Sequence, residues 1–305
     1  MTTLRVVRPG LLSTVQDLGR SGYQSVGVPV AGPMDWYSHR LANRLVGNAE
    51  QAAAIEITLI GPELIADDDV LCALAGAEFD VTVDGTRAPM YRPFAVRRSQ
   101  RMLFGERTSG ARATLAVRGG IDVPVTLGSR ATHLVSHMGP FGGRPLRAGD
   151  VLPIGTSSGP LRFSAALPLT IGKGPATLRV MEGPHRERFR DDAWESLCHA
   201  TFRVSPESNR MGYRLDGPAL DHVRGADILS EATAMGALQV PASGQPILLM
   251  ADRQTTGGYT IIATVVTADL PVAGQLAPGD ALRFAACSRE EAIAALAERE
   301  VELRR

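Results

Sequence analysis

The chain has 305 residues and balances 32 basic against 32 acidic side chains, so no net field gathers phosphate backbones or anionic lipid, and nucleic acid and membrane surfaces are excluded as partners. A hydrophobic fraction of 44% supplies material for two buried cores at this length and excludes disorder. No apolar stretch approaches the roughly 18 residues of a membrane helix, and the start, MTTLRVVRPG, has no apolar leader core, which predicts a cytoplasmic protein.

In chain order, the first distinctive stretch is TVQDLGRSGYQSVGVPVAGPMD, residues 14–35, where Gly, Pro and small polar residues crowd around Gln16, Asp17, Arg20 and Asp35. A helix is predicted over 35–46: Asp35 caps it, Leu41 and Leu45 share a face, and Gly47 and Asn48 stop it. The β-branched runs AIEITLI, VLCALAG, FDVTVDG and RATLAVRGG follow, each bounded by breakers and each read as a strand. Cys72, inside VLCALAG, reads as a core residue; with Cys198 and Cys287 it makes an odd, widely spaced set of reduced structural thiols. The Pro-, Gly- and Ser-rich run over 153–176 marks a boundary between a β-rich lobe at 1–160 and a second at 161–305. In the second lobe a helix is predicted over 186–198, with Phe189, Ala193, Trp194 and Leu197 as one apolar stripe. The runs TLRVMEG, GALQV, PILLMAD and YTIIATVVT read as strands, and Ser288 with Glu291 forms a capping box that opens a terminal surface helix. Many strands with a few short helices, and no βαβα alternation, give a mainly β chain rather than a doubly wound sheet.

Three polar, glycine-dense stretches suggest chemistry. They are the opening segment, SPESNRMGYRLDG at 205–217, and GALQVPASGQP at 236–246 together with DRQTTGGYT at 252–260. Each sets amide or guanidinium donors among glycines that let a ligand or another backbone approach closely, which suits a small planar carbonyl-bearing molecule. Read singly, each is also ordinary turn chemistry, and an Asp17–Arg20 pair can simply brace a loop. Three together point toward a site. His133 and His137 have the i, i+4 spacing of a metal pair, but no acidic or Cys partner sits at a recognisable spacing, so no metal is assigned. IGKGP at 171–175 lacks the rest of a phosphate loop, GTSSG and PASGQ lack the flanks of a nucleophile elbow, and a Met-Lys-Met biotin-attachment sequence is absent.

The segments TVQDLGRSGY, GPMDWYSHRLANRLVGN, EITLIGPEL, GGIDVPVTLGSRAT, LRAGDVL, SNRMGYRLDG, GALQVPASGQPILLM and DRQTTGGYTIIATVVTADL with QLAPGD resemble one family across residues 4–292. It is the allophanate hydrolase subunit 2, or biotin-dependent carboxyltransferase, family, whose members include the C component of bacterial 5-oxoprolinase. The resemblance implies a cyclophilin-like β-barrel architecture in two lobes. It also implies a homologous subunit 1 (the B component) and an A component as separate partners, with the reacting groups in a cleft shared with subunit 1. Two reactions follow from the family: ATP-driven opening of 5-oxoproline to glutamate by the A, B and C components together, or transfer of carboxylate from carboxybiotin to urea or a related small amide. A third role in the family is a non-catalytic antagonist of a kinase inhibitor. ATP would be used by the complex rather than clearly held by this chain, and any biotin would arrive on another polypeptide.

Carried onto this sequence, the resemblance implies Asn209, Arg210, Gln239, Gln254, Thr255 and Tyr259 as ligand-facing residues, with Arg210 as the anion or carbonyl clamp. Asp17 and Asp35 stand second. No nucleophile or general base is identified; His133, His137 and His199 fall outside the matching segments, which argues against a histidine base.

Overall fold

The computed structural model describes residues 2–157, 161, 169 and 174–304. The boundary expected at 160/161 and the IGKGP lysine, Lys173, lie outside the described residues. The chain divides into two units, one holding Met1–Arg20, Ala31–Leu169 and Glu302–Arg305, the other Ser21–Val30 and Thr170–Val301.

In the first unit nine strands among the described residues form one curled half-barrel sheet: β1 (Thr3–Arg8), β2 (Leu12–Gln16), β3 (Ala54–Thr58), β4 (Glu63–Ala66), β5 (Val70–Val83), β6 (Thr86–Arg87), β7 (Phe94–Val96), β8 (Arg101–Val117) and β9 (Val151–Pro153). The long β8 is the spine, pairing with β4 near its start, with β3 near its end and with β5 along its length. VLCALAG and FDVTVDG, read from sequence as two strands, are one. Gly76 takes a positive φ of 102° and the register shifts repeatedly between Gly76 and Val81, so the glycine bends a strand instead of ending it. Leu4, Ile55, Leu74, Leu115 and Cys72 are fully buried in the core, each large aliphatic contributing about 1.5–3 kcal/mol. The helix Trp36–Leu45 lies against β5 and β8 and buries Tyr37, Leu41 and Leu45.

In the second unit the strands are β10 (Ala176–Glu182), β11 (Phe202–Val204), β12 (Gly212–Asp216), β13 (Asp227–Ala232), β14 (Ala237–Val240), β15 (Ile247–Leu249), β16 (Thr256–Val265) and β17 (Ala281–Ala286). They run in the order β10-β17-β11-β12-β15-β14-β16, and an added β10–β16 ladder closes this row into a seven-strand barrel, with β13 on the far edge of β16. The mainly β barrel architecture with few short helices is therefore borne out. The helix expected over 186–198 is shorter. Residues Arg186–Arg188 make a 3-10 turn, Arg190 is extended (φ −64°, ψ 155°), and the α-helix runs only over Asp191–His199. Phe189 is still buried, its ring 4.5 Å from that of His222. Among the described residues no helix is long and apolar enough to cross a membrane.

Candidate functional site

The residues proposed from sequence fall into two groups. Asp17 is occupied by the fold: its carboxylate accepts from the Gly19 amide at 2.9 Å and from the Ser129 hydroxyl and Arg130 amide at 2.5 Å each. Asp35 caps the helix Trp36–Leu45, accepting from the Ser38 amide at 2.9 Å and the Ser38 hydroxyl at 2.5 Å. Gln16 is buried and donates to Thr14 Oγ1 and the Thr132 carbonyl, both at 3.0 Å, and Arg20 donates to the Ala131 carbonyl. The glycines and polar groups of the opening stretch thus pin a turn. Asp17 and Asp35 hold backbone in place, and neither is among the residues lining the cavity described below.

In the second unit four of the expected residues meet. Asn209, Gln239, Gln254 and Tyr259 line a cavity of about 170 Å³ together with Met211, Gly212, Ile247 and Leu249, and with Glu207 and Arg214 at its polar side. That is smaller than the roughly 300–1,000 Å³ of drug-sized sites, so it suits a molecule of a few heavy atoms. The apolar wall follows from strand alternation. Gln239 pairs with Ile247 on β15 and with Ile261 on β16, and Ala237, Ile247, Leu249 and Ile261 pack as one cluster. Gln239 therefore points to the opposite face from its neighbours Leu238 and Val240, yet it is only 2% exposed. A register shift in the β14–β16 ladder falls between Leu238 and Gln239, a bulge of the kind that re-aims side chains at functional sites.

Hydrogen bonds set the polar side. Gln254 Nε2 donates to Gln239 Oε1 at 3.5 Å, and Gln239 Nε2 is buried without a hydrogen-bond partner among the described residues. Asn209 is exposed; its Oδ1 accepts from the Met211 amide at 2.8 Å, which holds the side chain in an Asx turn. Tyr259 is 41% exposed at the rim. Arg214 and Glu207 face each other at 3.6 Å, both well exposed.

Arg210 departs from expectation. Its guanidinium, 4% exposed, makes a bidentate pair with Asp252: Nε donates to Oδ2 and Nη2 to Oδ1, each at 3.0 Å. Backbone bonds from Asp252 to the Arg210 carbonyl and from Met250 to the Met211 carbonyl run alongside. The ion pair staples the 209–212 turn to the 250–254 turn and so sets the spacing of Asn209 and Gln254. It braces the cavity and does not line it. Thr255 also stays outside the lining, its carbonyl accepting from the Thr233 amide at 3.0 Å. Arg253 near it donates to the Thr233 carbonyl at 3.4 Å, and burial lowers its pKa.

Sequence reasoning passed over Gly257. A Cβ built there would lie 2.4 Å from Gln239 Nε2, so the amide occupies the place of the missing side chain. The Gly-Gly pair inside a strand was the available signal, because such glycines mark close approach. Among the described residues no histidine lines this cavity. His133 is buried and shares a 2.7 Å hydrogen bond with the Ser136 hydroxyl in an irregular turn. Cys72 is sealed in the core, where burial pushes its thiol up to about 12, far from thiolate chemistry. A larger cavity of about 480 Å³ in the first unit is walled by Phe79, Met90, Tyr91 and an exposed Arg87–Asp80 pair; the Tyr91 hydroxyl is spent on the Gly76 carbonyl at 2.6 Å.

The family description "Carboxyltransferase domain, subdomain A and B" matches residues 26–286. The C component of Escherichia coli 5-oxoprolinase is 38% identical over 299 residues, an alignment covering 96% of this chain and 94% of that one. Urea amidolyase of Saccharomyces cerevisiae is 34% identical over 310 residues, covering 95% of this chain but 17% of that enzyme. The crystal structure of K. lactis urea amidolyase superposes with a TM-score of 0.93 at 34% identity over 99% of this chain, which spans 20% of that one. With the barrel, the curled sheet and the matched residues in agreement, this chain belongs to the carboxyltransferase family of subdomains A and B.

Proposed function

We propose that this chain acts as the C component of an ATP-dependent 5-oxoprolinase, joining an A component and a homologous B component to open the lactam of 5-oxo-L-proline to L-glutamate. The observation that supports this most is the alignment with the E. coli protein, which runs nearly end to end along both chains. The cavity is compatible with it: a small apolar slot with amide donors at one end accepts a small cyclic amide and holds its carbonyl in a fixed field of donors. In this reading Gln239, Gln254, Asn209 and Tyr259 bind and orient the substrate, while Arg210 and Asp252 hold the two turns in register. The cavity's lining carries one cation among the described residues, Arg214, which faces Glu207, and no step through ATP is assigned to these residues.

The reading is tested by reconstitution. The purified chain alone is expected to release no glutamate from 5-oxoproline, and the mixture with the A and B components is expected to do so in step with ATP consumption. A complete set that consumes no 5-oxoproline removes the assignment. The likeness to two urea amidolyases favours a second reading, carboxyl transfer from carboxybiotin to urea or a related amide. Inhibition of the assembled activity by avidin selects it, and indifference to avidin discards it.

A further inference from the structure

The amide of Gln239 is the most unusual polar group in the second unit. It sits on a strand between two fully buried apolar neighbours, is 2% exposed itself, and keeps a donor with no acceptor among the described residues. Leaving such a donor unmade carries the full desolvation penalty of the group, so a fold that retains it gains only if something else completes the bond. Two neighbours set its pose. Gln254 Nε2 lies 3.5 Å from Gln239 Oε1, a long contact that turns the acceptor end toward Gln254, while the N–H end has no partner among the described residues. Gly257 on β16, four residues before Gln239's ladder partner Ile261, lacks a side chain, and the amide nitrogen lies 2.4 Å from where its Cβ would be.

We propose that Gln239 reads an acceptor oxygen of the ligand, a carbonyl or carboxylate oxygen, and that Gly257 is the specificity-determining position that admits the reading amide. The proposal rests on taking this cavity as the ligand site, and it does not depend on which amide is the substrate. An alanine at 257 would put its Cβ 2.4 Å from Gln239 Nε2 and 3.1 Å from Thr233 Cγ2. The closer of these atoms is the free end of a flexible side chain, so the amide yields and the backbone stays. Gly258 supplies the internal control, since a Cβ there meets nothing nearer than 3.5 Å, at the Ile228 carbonyl and Ser230 Oγ.

The test is calorimetric titration of the full chain, alone and assembled with the A and B components, using 5-oxo-L-proline and urea as probes. Wild type and the Gly258→Ala variant are expected to bind one probe with equal affinity. Gln239→Glu, which puts a carboxyl of the same shape in place of the donor, and Gly257→Ala are each expected to weaken that binding at least tenfold; the buried carboxyl also lowers the thermal midpoint of Gln239→Glu, so the loss of affinity without loss of fold is read on Gly257→Ala. Gln239→Met, which removes the polar end and keeps the volume, is expected to lose affinity while gaining stability, the signature of a buried donor kept for a ligand. If urea binds with this dependence and 5-oxoproline does not, the 5-oxoprolinase reading falls and the reading amide stands. Unchanged affinity in Gln239→Glu or Gly257→Ala, or no binding of either probe to wild type in the assembly, overturns the proposal.

Discussion

His39 is wholly buried in the first unit, where Nε2 lies 3.1 Å from the Ala52 carbonyl and 3.2 Å from the Asn43 amide nitrogen. Burial lowers its pKa from 6.5 to about 4, against smaller raising effects of Asp17 and the Ala52 carbonyl. The unfolded chain therefore binds a proton that the folded chain refuses between these two values. Stability is full above about 6.5 and falls as pH drops toward 4, by about 3 kcal/mol from this one group. Urea denaturation across that window should show the decline, and a His39→Gln variant should flatten it. The Arg210–Asp252 pair makes the opposite kind of statement. Removing one partner strands a buried charge, so Asp252→Ala should cost about 3–5 kcal/mol, whereas an Arg210→Met, Asp252→Leu double variant should recover much of it. Denaturation midpoints of the three proteins decide this; equal losses in single and double variants would deny the brace. The resemblance implies Arg210 as a clamp, and the sequence alone does not separate that role from a brace, because an arginine among glycines looks the same whether its partner is a ligand or an aspartate 42 positions on.

At the level of elements, the caps are where sequence speaks most directly, because their partners are three residues apart. Ser288 and Glu291 make the reciprocal bonds that their spacing implies: Ser288 N to Glu291 Oε2 at 2.7 Å and Glu291 N to Ser288 Oγ at 3.1 Å. They open the helix Arg289–Arg304. Ser288→Ala should cost about 1 kcal/mol, read as faster amide exchange in the first turn of that helix. Asp35 was legible as a cap for the same reason. Where local signals misled, a tertiary partner had intervened: Arg190 is extended, its amide bonded to the Asp221 carbonyl, so the apolar stripe beginning at Phe189 does not become one helix. Gly76 bends a strand that β8 holds along its length.

For the molecule as a whole, the β class was legible from short β-branched runs between breakers, and the lining of the candidate cavity was partly legible from the clustering of amides and glycines. What brings Asn209, Gln239, Gln254 and Tyr259 together was not. They come from a turn before β12, from β14, from the turn before β16 and from β16 itself, and only the register of β12, β14, β15 and β16 makes them neighbours. Register is a property of pairs of strands, and no single run of residues carries it.

The seam of the barrel has a further consequence. β10 opens the second unit's barrel and takes both of its ladder partners from the end, β16 at Thr256–Val265 and β17 at Ala281–Ala286. On a translating ribosome it emerges before either partner and waits unpaired on both edges until β16 and then β17 follow. Closure of that ring therefore waits on β17, and a nascent chain that has exposed β16 but not yet Ala281–Ala286 would present β10 with one edge bare to any chaperone or to another copy of itself.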